Sequence, residues 1–382
     1  MSRVRSAIGR RHFLGRAALG AGGLSLSGLA ASCGAWSTAG DPGVGRLHVE
    51  NWPAYIDATS NGRPGTVDRF RAATGIDINY TEAINDNDEY FAKIQPRLGT
   101  GRVIEPDVMV LSSWMAERLI RLGWVDPLPL AEVRNRVNIE DAFAHPKSDP
   151  AGAYCLPWQG VMVGIGYNRQ ATGRDLGSID DLFAADLKGR VGMLTEMRDT
   201  IGMILLSLGI DPSAVTSFAQ AAPAFERLER AKATGQVRAF TGNDFLDDLS
   251  TGNFAACVAW LGDVLQLSRD NPHVRFIIPE QGGLLATDTM LMPKGAGHRE
   301  EAAAWMNFVY DPAEAARITE GVQTISPVKG VRDELARFDA PLAANPLLFP
   351  DAAVTARLKI FANLAEDVEQ QFDEAFSRII GA

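Results

Sequence analysis

The first regular pattern in the chain is an alternation: Leu47 and Val49 are apolar, their neighbours are polar, and the run ends in Asn51, Trp52 and Pro53. Period-two alternation predicts a strand, and the proline stops it. Trp52 and Tyr55 therefore fall on the loop at the strand's C-terminal end. The pattern then switches to helical periodicity over residues 66–73, closed by Gly75, and back to a strand over 76–81. A helix over 88–98 weakened near its end by Pro96, an apolar strand over 107–111 and a helix over 115–122 continue the series. Such strand–helix alternation predicts an α/β domain with a largely parallel sheet.

Residues 126–153 are rich in Pro, Asn, Asp and His and read as loops with short helices. Residues 156–168 form a long extended, glycine-containing run, the pattern of a strand crossing between two bodies. A second α/β unit follows, with a helix capped by Ser178, a strand over 191–194, helices over 200–208 and 213–233, a strand over 254–260, a helix over 263–269 and a strand over 273–278. The extended run 284–292 predicts a second crossing, followed by helices over 300–310 and 312–320 and a helical tail over 353–380. The fold class expected is α/β, with two lobes around a hinged cleft, a geometry for enclosing a small molecule. The boundaries read from the pattern are 46–157 plus 289–340 for lobe 1, 158–288 for lobe 2, and 341–382 for C-terminal helices packed on the lobes.

Charge changes the picture at the N-terminus. The chain has 382 residues and a formal net charge of -10, yet its first 32 residues hold five arginines and no acid, so without them the charge would be -10 - 5 = -15. Arg10-Arg11-His12-Phe13-Leu14 is a twin-arginine signature, and the uncharged run 17–32 behind it has the length and composition of an export segment. Leu29-Ala30-Ala31-Ser32-Cys33 resembles a lipobox, although its leucine stands four residues before the cysteine rather than three. Residues 1–32 are thus expected to be a twin-arginine lipoprotein-type signal peptide, with Cys33 lipidated and 33–45 a flexible tether to the membrane; cleavage without a lipid is the alternative. An oxidising compartment permits a disulfide between Cys155 and Cys257, but both sit in apolar surroundings and separate buried thiols are the expectation. An acidic body without a basic patch argues against nucleic acid as a partner.

Several chemistries find no support. The five histidines are scattered without helical pairing, and there is no cysteine pair, so no metal is expected. No Gly-x-Ser-x-Gly elbow and no Walker A sequence occurs, and Gly164-Ile165-Gly166 is only a fragment of a dinucleotide motif. No cofactor and no enzymatic activity are expected. What remains is a set of aromatic and acidic residues at strand ends: Trp52, Tyr55, Trp114, Trp260 and Asp263, with Ser112 and Ser113 beside Trp114 and with Asp288 inside the second crossing. Each has a plainer reading. The rings fill a core as readily, Asp263 and Ser113 are placed to cap helices, and Asp288 could be salt-bridged in the hinge. Together, aromatic walls and acidic ends suit a flexible alkyl chain bearing ammonium groups.

At this point the chain resembles the spermidine/putrescine-binding proteins of bacterial ABC importers, within the type II periplasmic-binding-protein fold. The resemblance runs from Leu47 to about Ile380. It rests on Asn51-Trp52-x-x-Tyr55, on Asp107-Val108-Met109-Val110-x-Ser112, and on Leu156-Pro157-Trp158 through Gly166-Tyr167-Asn168. It continues in Trp260-x-Gly262-Asp263, Glu280-x-Gly282-Gly283, Asp288 and Phe349-Pro350-Asp351. It implies that Trp52, Tyr55, Ser112, Trp114, Trp260, Asp263 and Asp288 line a ligand cleft, with Trp260 along an alkyl chain and the two aspartates on ammonium groups. It implies a small cationic solute and ABC permease subunits as partners, and a monomer. Four positions depart from the family: Thr200 stands where an acidic ligand residue is expected, with Asp199 and Glu196 nearby; Ala286 and Thr324 fall where aromatics are expected; and Pro53 or Ala54 stands where an acidic or hydroxyl residue is expected. A shorter or less charged amine, another small solute such as an amino-acid derivative, a phosphonate or a sugar, and a sensor or scaffold lipoprotein all remain open.

Overall fold

The structure is a computed structural model, and it describes residues 45–60 and 62–381. Its strands are β1 Arg46–Asn51, β2 Asp77–Glu82, β3 Val108–Ser112, β4 Val125–Asp126, β5 Cys155–Asn168, β6 Val191–Leu194, β7 Val237–Thr241, β8 Ala256–Trp260, β9 Val274–Ile277, β10 Gly283–Pro293 and β11 Leu358–Lys359. The main order is β2-β1-β3-β10-β5-β8-β6-β7, with β4 and β11 on β10 and β9 on β5. Neighbours are parallel at either end, β2-β1-β3 and β8-β6-β7. In the middle, β5 and β10 run antiparallel to each other, and β10 is antiparallel to β3 and β5 to β8. The two extended crossings expected from the sequence are these central strands.

Apolar side chains divide into two large cores on either side of that pair. One gathers Leu47, Val49, Phe70, Met109, Leu111 and Trp305 with Met290–Met292 of β10. The other gathers Val163 and Ile165 of β5 with Leu194, Ile204, Phe254, Leu284 and Phe372. Asp288 stands where β10 passes from one core to the other. There it is in register with Ser112 of β3 and Gln159 of β5, and the pairing with β5 slips between Asp288 and Thr289. A register break turns side chains out of the regular pleat and is a common device for aiming one at a site.

Local chemistry explains most elements. Gly75 takes the left-handed conformation that ends helix Thr66–Thr74. Asp86 accepts from the backbone N–H groups of Asp88 and Glu89 and so starts helix Asn87–Leu98. Ser178 caps a shorter element than expected, a 3₁₀ turn over Ile179–Phe183, reciprocated by Asp181. Strand β7 and helix Phe245–Thr251 are additions to the sequence reading; β7 pairs only with β6 and is half-exposed, so its pattern is weak.

The continuous helical tail over 353–380 is corrected. A short helix Ala352–Thr355 capped by Asp351 gives way to β11, which pairs with the first residues of β10, and helix resumes only at Glu366–Ile380. Backbone pairing at Gly283 and Leu284 outcompetes helical propensity there. Cys155 and Cys257 are buried free thiols. The signal, Cys33 and most of the expected tether lie outside the described residues.

Candidate functional site

The loop leaving β1 carries the first two aromatics. Ala54, between them, adopts a positive φ of 53°, a conformation that costs a residue with a Cβ about 1 kcal/mol. Its N–H is held by Glu82 Oε1 at 2.9 Å. The turn sends both Trp52 and Tyr55 into a cavity of about 920 Å³, counted to its open mouth. Trp52 anchors by donating Nε1–H to the carbonyl of Val110 at 3.1 Å and meets Trp260 edge-to-face at 6.2 Å. Since Trp52 belongs to one core and Trp260 packs on the other, the two rings bridge the lobes.

All seven residues singled out in the sequence line this cavity. Tyr55 donates its hydroxyl to Asp288 Oδ2 at 2.9 Å, and Ser112 Oγ donates to Asp288 Oδ1 at 2.7 Å. Asp288 is therefore not salt-bridged; both its oxygens are held by neutral hydroxyls. Asp263 does not cap its helix. Leu261–Asp270 starts without a side-chain cap, and the Asp263 carboxylate instead accepts from Asn243 Nδ2 at 3.2 Å. Ser113 likewise opens helix Ser113–Arg121 without being its cap. Trp260 donates Nε1–H to Asp199 Oδ2 at 2.7 Å. Trp114 faces a guanidinium, with Arg198 Cζ 3.8 Å from its ring centroid.

The missing carboxylate needs correction. Thr200 is fully buried and donates its hydroxyl to the carbonyl of Leu194, at the end of β6. Glu196 and Asp199, around the start of helix Met197–Ser207, line the cavity instead. A helix start could be placed in sequence to within a residue or two, too coarse to choose among three neighbours. Sequence reasoning also missed Asn87, Asn243 and Arg198, and the segment 360–363, which lines the cavity because β11 interrupts the tail. Asn87 ties the lobes together, donating to Ser112 Oγ at 3.0 Å and to Glu196 Oε2 at 2.8 Å. Of the replaced family positions, Pro53, Ala286 and Thr324 all line the cavity, and Thr324 is fixed by donating to Gln159 Oε1 at 2.9 Å.

The electrostatics are one-sided. Four carboxylates line the cavity (Glu196, Asp199, Asp263 and Asp288), and the one cationic side chain among the lining residues is Arg198. Arg198 is itself paired, Nη2 to Glu369 Oε1 at 2.6 Å. Loss of solvent pushes Asp288 up to about 6, despite the hydroxyls of Ser112 and Tyr55. Loss of solvent likewise pushes Asp263 and Asp199 up to about 7, with the Asp288 charge adding to both. Desolvation and the nearby charges of Asp86, Asp199 and Asp88 raise Glu196 well above the usual carboxylate range. Buried carboxylates without a countercharge are costly, and a ligand bringing positive charge removes that cost.

Comparison with known proteins follows the same line. Residues 65–350 match the model of the family described as bacterial extracellular solute-binding protein. The chain is 26% identical over 331 residues to a putrescine-binding periplasmic protein of Escherichia coli (strain K12), covering 82% of this chain and 85% of that one. It is 25% identical over 370 residues to a putrescine-binding periplasmic protein of Pseudomonas aeruginosa (strain UCBPP-PA14), covering 92% and 95%. Among solved structures, the spermidine/putrescine ABC transporter substrate-binding protein of Streptococcus pneumoniae superposes with a TM-score of 0.70 at 21% identity, covering 88% of this chain and 98% of that one. The fold is the two-lobed type II solute-binding fold.

Proposed function

Because the chain belongs to the bacterial extracellular solute-binding protein family, we propose that it captures a polyamine-like cation of the putrescine/spermidine class and delivers it to the permease of an ABC importer. The observation that carries this reading is the set of four carboxylates lining an aromatic cavity whose one lining cation is already paired. Asp263 and Asp288 hold ammonium groups, each kept in place by neutral donors that leave its charge for the solute. Trp52 and Trp260, in contact with each other, wall the methylenes on one side, Tyr55 and Ser112 orient Asp288, and Trp114 adds a further aromatic wall. Since these residues come from both lobes, the solute favours the closed arrangement through contacts that an open one lacks. The names of the relatives, putrescine-binding in both cases, support the ligand class.

The test is removal of charge at constant shape. Asp263→Asn and Asp288→Asn are each expected to weaken putrescine binding by about 10- to 100-fold, the worth of a charge-assisted hydrogen bond. Retained affinity in both variants would exclude a solute held as a cation.

The same reading places the protein outside the cytoplasm, exported through the twin-arginine signature and anchored by a lipid on Cys33. Cys33→Ser is then expected to move the protein from the membrane fraction to the soluble one; an unchanged distribution would rule the anchor out.

A further inference from the structure

The cavity wall already holds a cation of the protein's own. Arg198 Cζ lies 3.8 Å from the centroid of the Trp114 ring, a stacking distance. The two residues belong to opposite lobes: Trp114 packs on the first core, and Arg198 is in helix Met197–Ser207, whose apolar residues build the second. Arg118 lies 5.6 Å from the same ring but does not line the cavity. Arg198 is only 6% exposed, and its guanidinium is fixed through Nη2 to Glu369 Oε1 at 2.6 Å. Glu369 is itself 5% exposed and also receives Arg121 at 3.2 Å. Arg198 is thus a fixed part of the cavity wall, since drawing it away would leave a buried carboxylate short of its nearest charge.

We propose that Arg198 is a specificity-determining residue: its guanidinium takes the Trp114 ring for itself and confines the solute to a short α,ω-diamine, excluding a triamine. This rests on the reading of the cavity as an amine site. An aromatic face attracts a cation through its quadrupole, and here that attraction is spent on Arg198. A second cation brought to the same ring would meet a like charge at close range in a low-dielectric cavity, where repulsion is weakly screened. What is left for a solute is the part of the cavity walled by the Trp52–Trp260 contact and lined by Asp263, Asp288 and Asp199. Two ammonium groups fit that charge pattern, whereas a third would have to share the Trp114 ring with the guanidinium already stacked on it. The substitution Arg198→Met keeps the apolar bulk, removes the charge and frees the ring face.

The experiment is calorimetric titration of the wild-type chain and of Arg198→Met with putrescine and with spermidine. Wild type is expected to bind putrescine at least about tenfold more tightly than spermidine, and Arg198→Met to shift that ratio by about tenfold or more towards spermidine, within the range of a buried cation–aromatic contact. If wild type binds spermidine as tightly as putrescine, or if a folded Arg198→Met keeps the wild-type ratio, the inference is overturned while the amine reading stands. If wild type binds neither amine, the amine reading fails, and this inference with it. Should Arg198→Met melt well below wild type, Arg198→Met/Glu369→Gln removes both buried charges together, and its putrescine-to-spermidine ratio decides in the same way.

Discussion

At the scale of single residues, Asp288 stands at the centre of the cavity's hydrogen bonding. It is an isolated carboxylate in an apolar crossing strand, it is 6% exposed, and its partners are the hydroxyls of Tyr55 and Ser112. Loss of solvent holds it at about 6, with Asp263 and Asp199 at about 7. Each folded value lies above the ordinary carboxylate value, so from about pH 4 to 7 the empty folded protein keeps protons that the unfolded chain has released. By linkage, stability then falls as pH rises through that window. Thermal melting of the ligand-free chain is therefore expected to drop between about pH 4 and 7, and to drop less in Asp263→Asn/Asp288→Asn; equal slopes in the two proteins would contradict this. A dication binding the charged carboxylates releases their protons, so affinity tightens over the same range. Asp263 and Asp288 were legible in the sequence because a carboxylate at a strand end or in an apolar run demands a partner. Arg198 was not, because its significance is a contact with Trp114 across two lobes. Nor was the choice of Glu196 and Asp199 over Thr200, which turns on the phase of one helical turn.

At the scale of elements, the two crossing strands were legible because long extended runs with glycines interrupt an otherwise regular strand–helix alternation. Gly164 and Gly166 owe their place to packing: a Cβ on Gly164 would lie 2.4 Å from the Ile277 carbonyl oxygen, and one on Gly166 3.0 Å from Ala259 Cβ. Gly262 matters more directly to the cavity. It opens the helix that carries Asp263, and a Cβ there would stand 2.6 Å from Thr324 Cγ2 and 2.7 Å from the Val322 carbonyl oxygen. Val322 and Thr324 also line the cavity. Gly262→Ala is expected to push the helix start away from that wall, lowering stability by about 1–3 kcal/mol as overpacking does. Putrescine affinity should fall with it, because Asp263 moves. Denaturant melts and titration check the two effects; wild-type values for both would contradict the packing argument. The broken tail was illegible for a matching reason: its helical periodicity is genuine, but the edge of β10 offers residues 358–359 a competing partner.

At the scale of the molecule, two cores joined by β5 and β10 set a carboxylate-lined cavity between them, and residues of both cores bridge it. Trp52 meets Trp260, Asn87 reaches Glu196, and Arg198 stacks on Trp114. The C-terminal helix Glu366–Ile380 contributes to the second core through Phe372 and Phe376, while Glu369 reaches Arg118 and Arg121 of the first lobe at 3.7 and 3.2 Å. The acidity of the chain, visible in its composition, is thus partly spent at the cavity. On the proposed function, this cavity recognises its solute by positive charge. The measurement that tests it most directly is calorimetric titration of the purified chain with putrescine and, in parallel, with 1,4-butanediol, which keeps the four-carbon chain and replaces both ammonium groups by neutral hydroxyls. Saturable one-to-one binding of putrescine is expected, and none of the diol at the same concentrations. No heat with putrescine, or equal binding of the diol, would contradict it.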